Sequence, residues 1–188
     1  RSDAPWRVNP QRCRLLTKRP SRGRHRSPMA STDQDVVIVG GGVIGSAIAY
    51  FLAAQPAFDG RIVVVEKDST YERASTPRSA GSIRQQFSIE ENILISKFCI
   101  EFLNSIHECL RVDEESPDVG FVEAGYLFLA DPGGAAILRE NHALQRQCNA
   151  AIDLLSPPEL KDRFPWLEVD DLTAGAHGVE GEGWLDPY

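Results

Sequence analysis

Apolar positions along the chain fall into blocks of different period. Val36 to Val39 are four consecutive β-branched or branched residues bounded by Gly40, Gly41 and Gly42, which predicts a buried strand ending in a tight turn. From Val43 the period changes. Ile44, Ala47, Ile48, Phe51 and Leu52 recur at helical spacing as far as Pro56, and Arg61 to Glu66 (RIVVVE) then reads as a second buried strand. The three together form one unit of about 30 residues with parallel strands and a helical crossover. Residues 36–54 carry no charge, yet a glycine triplet after four residues and the lack of an aromatic belt argue against a membrane span.

Further on, Ser88 and Glu91 have the spacing of a capping box before a helix whose apolar face is Ile95, Phe98, Phe102, Ile106 and Leu110. DEESPDVG (113–120) reads as a linker. Beyond it FVEAGYLFLA (121–130) predicts a strand closed by a DPGG turn, 135–149 a polar helix, and Ile152 to Leu155 a short strand. Ser156, Pro157 and Glu159 start another helix, AGAHGVEGEGW suggests a glycine-interrupted strand, and Asp186-Pro187 has the form of an N-cap followed by a first helical position. The fold class that follows is α/β: a Rossmann-like βαβ domain, then the start of an α+β domain with an antiparallel sheet. The boundaries are 34–118 for the first and 119–188 for the second.

Charge refines this division. The net charge is −7, but residues 1–28 hold nine of the twenty Lys and Arg and the single acid Asp3. Residues 1–33 are expected to be a disordered basic leader or a non-native extension. A native leader points to the mitochondrion; without one, Met29 opens a cytoplasmic protein. The remaining body has eleven bases against twenty-six acids, which excludes a nucleic-acid binder, since phosphate neutralisation needs clustered Lys and Arg. No two of Cys13, Cys99, Cys109 and Cys148 form a CxxC pair, so no zinc site is expected and the thiols are read as reduced. His107 and His142 fall on polar helix sides and His177 has no identifiable partner; none receives a catalytic role.

The chemistry lies in Gly40-x-Gly42-x-x-Gly45, placed between a strand and a helix. Gly40 permits the turn, Gly42 lacks a Cβ that would collide with a pyrophosphate, and Gly45 lets the helix press on the strand. The phosphates would sit at the helix N-terminus that Val43 and Ile44 open. Glu66 stands twenty-one positions after Gly45, where an acid accepts hydrogen bonds from ribose hydroxyls and repels a 2′-phosphate; Lys67 adjoins it. FAD and NAD share such a turn. ASTPRSAGSIRQQFS (74–88) is long and rich in small residues for a plain connector: Ser79, Ala80, Gly81 and Ser82 permit close approach to a flat ligand, and Arg84 adds a positive charge.

DVVIVGGGVIGSAIAYFLA, VVVEKD, SAGSIRQQFS, DRFPW and EGWLDP together resemble the D-amino-acid-oxidase-like (DAO) family of FAD-dependent oxidoreductases, from about Asp35 onward. The resemblance implies FAD as cofactor, with the glycine turn and Glu66 on its ADP half and Ser79 to Gln86 along the flavin. It implies oxidation of a C–N bond of an amino acid or N-methylated amine, by hydride transfer to flavin, with Arg84 beside the ring as the catalytic residue. A second arginine three positions on, which helps bind the substrate carboxylate in sarcosine-oxidase-like members, is matched here by Phe87. Two alternatives stay open: a flavoprotein assembly factor with a respiratory complex I partner and little catalysis, and an NAD-dependent dehydrogenase. Family members continue well past residue 188, so the chain reads as an N-terminal fragment, expected to hold FAD poorly and to be inactive alone.

Overall fold

The computed structural model describes residues 35–187; the leader expected at 1–33 lies outside them. By internal packing the described residues divide into two units, one of 35–79, 107–117 and 187, the other of 80–106 and 118–186. Residues 80–106 pack with the later part of the chain, and 107–117 with the earlier part.

The first unit contains β1 (Val36–Val39), α1 (Val43–Ala53) and β2 (Ile62–Val65). β1 and β2 are parallel, in register from Val36 opposite Ile62 to Val39 opposite Val65, which is the βαβ arrangement that the change of period predicts. Expected burial is only partly realised. Ile38 is buried, but Val39 is 87% exposed and Val37 and Val65 are more than half exposed. Val37 and Val39 lie on the face of β1 opposite Ile38. At the open end of the ribbon, Arg61 donates its amide to Asp35 Oδ2 at 2.7 Å and pairs with the same carboxylate through Nε at 3.7 Å.

The second unit begins with β3 (Ser82–Ile83) and α2 (Glu90–Asn104). The short turn α3 (Ile106–Cys109) follows in the chain and from His107 on belongs to the first unit; the second continues with β4 (Tyr126–Ala130), α4 (Ala135–Gln147), β5 (Ile152–Leu155), α5 (Pro157–Arg163), β6 (Ala174–Gly178) and β7 (Gly183–Trp184). β4, β6 and β5 make an antiparallel sheet in that order, with Ala176 opposite both Phe128 and Leu154. One side of it carries the core of Ile93, Cys148, Ala150, Ile152 and Ala176, flanked by Phe87, Phe128, Leu138 and Leu144. Leu160 of α5 is fully buried and packs where a Cβ on Gly175 would come within 2.7 Å of its Cδ2. Each such fully buried Ile or Leu contributes about 1.5–3 kcal/mol. An α/β fold with an antiparallel second part is thus what the chain adopts.

Several expectations are corrected. The strand predicted over 121–130 pairs only from Tyr126 onward, because positive φ at Gly120 and Gly125 bends the chain and Val122 bridges Trp184 instead. The glycine-interrupted strand is two strands, β6 and β7. Ser88 caps nothing: Ile89 is the N-cap of α2 and makes no side-chain capping bond. The buried positions of that helix are Ile93 and Ile100, one heptad apart, while Ile95 is 60% exposed. The box at α5 does form, with the Glu159 carboxylate accepting the amide and hydroxyl of Ser156 at 2.7 and 2.6 Å. Cys99 and Cys148 are free thiols.

Candidate functional site

In the first unit the glycine turn has the geometry its spacing predicts, and each glycine serves a different need. Gly40 has φ +99°, in the left-handed region open to glycine, and donates its amide to the Val65 carbonyl at 2.8 Å, tying the turn to the end of β2. At Gly45 a Cβ would overlap the Gly40 carbonyl oxygen and lie 3.2 Å from Ile38 Cγ2, so only glycine lets α1 sit this close to β1. Gly42 is the N-cap of α1, with no side-chain capping bond and no acid in the first turn. A Cβ there would meet nothing within 4 Å. The amides opening α1 at Val43 and Ile44 therefore border free space at the positive end of a helix dipole.

Glu66 follows β2 and turns back onto this loop. Its Oε2 accepts the Gly41 amide at 2.7 Å and its Oε1 the Asp68 amide at 2.9 Å. These bonds, the Gly41 one foremost, hold its carboxyl below the usual carboxylate range, so the group is an ionised acceptor. Ser46 Oγ donates to the Gly41 carbonyl at 2.7 Å, locking the loop from the helix side. Lys67 is exposed beside Glu66. The sequence reading missed Tyr71, which has φ +58° and whose hydroxyl stands where a Cβ on Gly41 would approach to 2.9 Å. A bulky residue in the left-handed region is a signal that only coordinates reveal. Ser79 closes this unit in a turn, its amide donating to the Thr76 carbonyl at 3.0 Å.

Ala80, Gly81, Ser82, Arg84 and Gln86 belong to the second unit. The stretch read as a loop is in part a strand: Ser82 and Ile83 form β3, opposite Trp184 and Gly183 of β7. Ala80 and Ser82 are exposed, and Gly81 is buried with φ +63°. Arg84 Cζ lies 5.0 Å from the ring centre of Phe87, 5.3 Å from Phe128 and 5.7 Å from Tyr126. Its Nε is buried without a hydrogen-bond partner. The guanidinium is thus seated among ring faces, which stabilise a cation without neutralising it. Gln86 is buried, and its Nε2 donates to the Tyr126 carbonyl and to Glu182 Oε2 at 2.9 and 2.8 Å.

His107 is exposed, as its polar helix side predicts, but two other histidines differ from expectation. His142 is half-buried and its Nε2 lies 3.0 Å from the Ile152 carbonyl. His177 has partners after all: Arg163 Nη1 at 3.2 Å from Nδ1 and an edge-on Phe164 ring. Among the described residues no group of three His, Cys, Asp or Glu is arranged to hold a metal ion, and no helix is long and apolar enough to cross a membrane.

This geometry can be set beside known proteins. The family model described as DAO, FAD dependent oxidoreductase, matches residues 35–188. The chain belongs to that family. Its glycine turn and acid therefore occur in a family defined by FAD dependence. The chain is 50% identical over 157 residues to FAD-dependent oxidoreductase domain-containing protein 1 of Xenopus laevis, covering 82% of this chain and 32% of that protein. It is 29% identical over 203 residues to mitochondrial dimethylglycine dehydrogenase of Rattus norvegicus, covering 97% of this chain and 22% of that protein. It superposes on L-proline dehydrogenase from P. horikoshii with a TM-score of 0.66 at 28% identity, covering 82% of this chain and 38% of that one. The chain spans about a third of the length of the first of these relatives.

Proposed function

We propose that the protein containing this chain is an FAD-dependent oxidoreductase that oxidises the C–N bond of an amino acid or N-methylated amine. The observation that carries the reading is the turn itself: an uncapped helix N-terminus, free space over Gly42 and an ionised acid on Glu66, all in one unit of a DAO-family chain. These residues fit the ADP half of FAD. Val43 and Ile44 amides would meet the pyrophosphate, and the remaining lone pairs of Glu66 would accept from the ribose hydroxyls. When bound, FAD supplies the redox chemistry by accepting a hydride from the carbon next to nitrogen.

In this reading residues 34–118 hold the cofactor and 119–188 begin the part that holds substrate. Arg84 supplies a positive charge seated among ring faces, suited to steadying anionic character on the reduced ring or on the substrate. Similarity to dimethylglycine dehydrogenase and L-proline dehydrogenase supports a secondary or tertiary amine carrying a carboxylate. The test is to purify the full-length protein, record its visible spectrum, and add dimethylglycine, sarcosine or L-proline without oxygen. Bleaching of an oxidised flavin band by one of these upholds the reading. A colourless protein that releases no flavin on denaturation overturns it.

A further inference from the structure

Among the described residues, Glu182 is the buried acid that the reading above leaves unused. It lies between β6 and β7, is 0% exposed, and its carboxylate accepts hydrogen bonds from two consecutive residues just after Arg84. Its Oε1 accepts the amides of Gln85 and Gln86 at 2.5 and 3.1 Å, and its Oε2 accepts Gln86 Nε2 at 2.8 Å. Burying a carboxylate is costly unless its oxygens are satisfied. Burial accordingly pushes the Glu182 carboxyl up, while the three donors and the nearby Arg84 charge pull it back. An apolar side chain would fill the same volume without that conflict, but could not hold two adjacent amides.

Space for this contact is provided by glycines. A Cβ on Gly178 would overlap Glu182 Oε2, and one on Gly181 would overlap Gln85 Nε2. Gln85 Nε2 in turn donates to the Gly181 carbonyl at 3.2 Å, and the Gly181 amide donates to Glu123 Oε1 at 2.5 Å. Every residue of the segment is fastened: Ser82 and Ile83 by β7, the Arg84 carbonyl by Ser96 Oγ, and the Phe87 carbonyl by Gln145 Nε2 at 3.1 Å. Between these points the chain bends, with the Phe87 amide reaching back to the Gln85 carbonyl at 2.9 Å. Glu182 grips the inside of that bend.

We propose that Glu182 is the positioning residue of the Arg84 segment: by clasping the Gln85 and Gln86 amides it sets where the Arg84 guanidinium lies among Phe87, Tyr126 and Phe128. The part of this that concerns catalysis rests on the function proposed above. Displacing a catalytic group by about 1 Å can cost on the order of a hundredfold in rate, so a segment carrying such a group needs an anchor of this kind. Glu182→Gln is the sharpest probe. It keeps the shape and one acceptor oxygen, but turns an N–H toward Gln86 Nε2, donor against donor. Relief would require Gln86 to rotate and give up its bond to Tyr126.

The experiment is amide hydrogen exchange on the full-length protein, wild type against Glu182→Gln and Glu182→Asp. The second variant keeps the charge and withdraws it by one methylene, so a result survives if the first fails to fold. The expected result is exchange at residues 85 and 86 faster by about tenfold or more, the factor for losing one charge-assisted hydrogen bond, with β4, β5 and β6 protected as before. In flavin-loaded protein, reduction by amine should slow and the visible circular dichroism of the flavin should change, at unchanged flavin content. Unaltered exchange at 85 and 86, or an equal loss of protection across the unit, overturns the proposal. So does normal reduction with a normal flavin signal once local exchange has risen. A wild-type protein without flavin removes the functional reading, and the exchange data then decide the anchoring by themselves.

Discussion

A Cβ placed on Gly45 would overlap the carbonyl oxygen of Gly40 and stand 3.0 Å from its carbonyl carbon. The close approach of α1 to the turn is therefore a backbone contact, with no flexible side chain to give way. Gly45→Ala in the full-length protein should lower stability by about 1–3 kcal/mol, the usual cost of overpacking, despite the gain in helix propensity. Denaturant unfolding measures this; stability equal to or above wild type would mean the contact relaxes at no cost.

Gly42 gives the opposite outcome. Its φ of −63° and ψ of −175° suit any residue, and a Cβ would touch nothing within 4 Å. Gly42→Ala should leave unfolding within about 0.5 kcal/mol of wild type, as for a surface change, while flavin content falls sharply because the methyl occupies the place of the pyrophosphate. Full flavin occupancy in a folded Gly42→Ala protein would show that the space over this residue is not the ligand's.

Glu66 predicts a pH dependence. Its carboxyl lies below the ordinary value of 4.5 because the Gly41 and Asp68 amides bond the ionised form. The folded state therefore resists protonation more than the unfolded one. The contribution is full above pH 4.5 and is lost as pH falls below it toward the depressed folded value. Glu66→Gln should remove that part of the acid sensitivity and should weaken flavin retention at neutral pH, where the variant meets the Gly41 and Asp68 amides with only one acceptor oxygen. Superimposable acid-unfolding curves for the two proteins would contradict this.

The turn was legible because its constraints are local: a change of hydrophobic period from strand to helix locates it, and three glycines at fixed spacing mark where its backbone bends and packs closely. The second unit was legible in outline and wrong in detail. Helix α2 offers apolar residues on more than one side, and periodicity could not choose Ile93 and Ile100 over Ile95, since that depends on distant partners: Ile93 joins the core with Ile152 and Ala176, and Ile100 lies beside Gly181. Glu182 was missed for the same reason. The only trace of it in sequence is an acid between two glycines in VEGEGW, and its donors lie 96 and 97 positions away.

His177 supplies a second titration of the same sign in the other unit. Burial first, then the Arg163 guanidinium, push the imidazole below its ordinary 6.5, with Asp153 opposing. The unfolded chain takes up this proton more readily, so the contribution is present above pH 6.5 and is lost as pH falls below it. His177→Gln should flatten the loss of stability between about pH 7.5 and 5 relative to wild type. Parallel stability profiles across that range would show that His177 is not protonated differently in the two states.

Arg84 separates stability from chemistry. Its guanidinium is held among three aromatic rings, so part of its value is structural, about 0.5–2 kcal/mol for a cation on ring faces. Arg84→Lys keeps the charge but loses the planar stack. Arg84→Met loses the charge and keeps a long, polarisable side chain that favours aromatic surroundings. A purely structural Arg84 would make the two variants rank by stability alone, with reduction of the flavin unaffected in whichever folds well. If the charge serves the reaction, Arg84→Met should hold flavin and unfold close to Arg84→Lys, yet be reduced by amine at least about tenfold more slowly, the factor for losing one preorganised charge–charge or charge-assisted contact in the transition state. The decisive measurement is anaerobic stopped-flow reduction of both full-length variants. Equal rates in Arg84→Met and Arg84→Lys at matched flavin content would return Arg84 to the structure and remove it from the reaction.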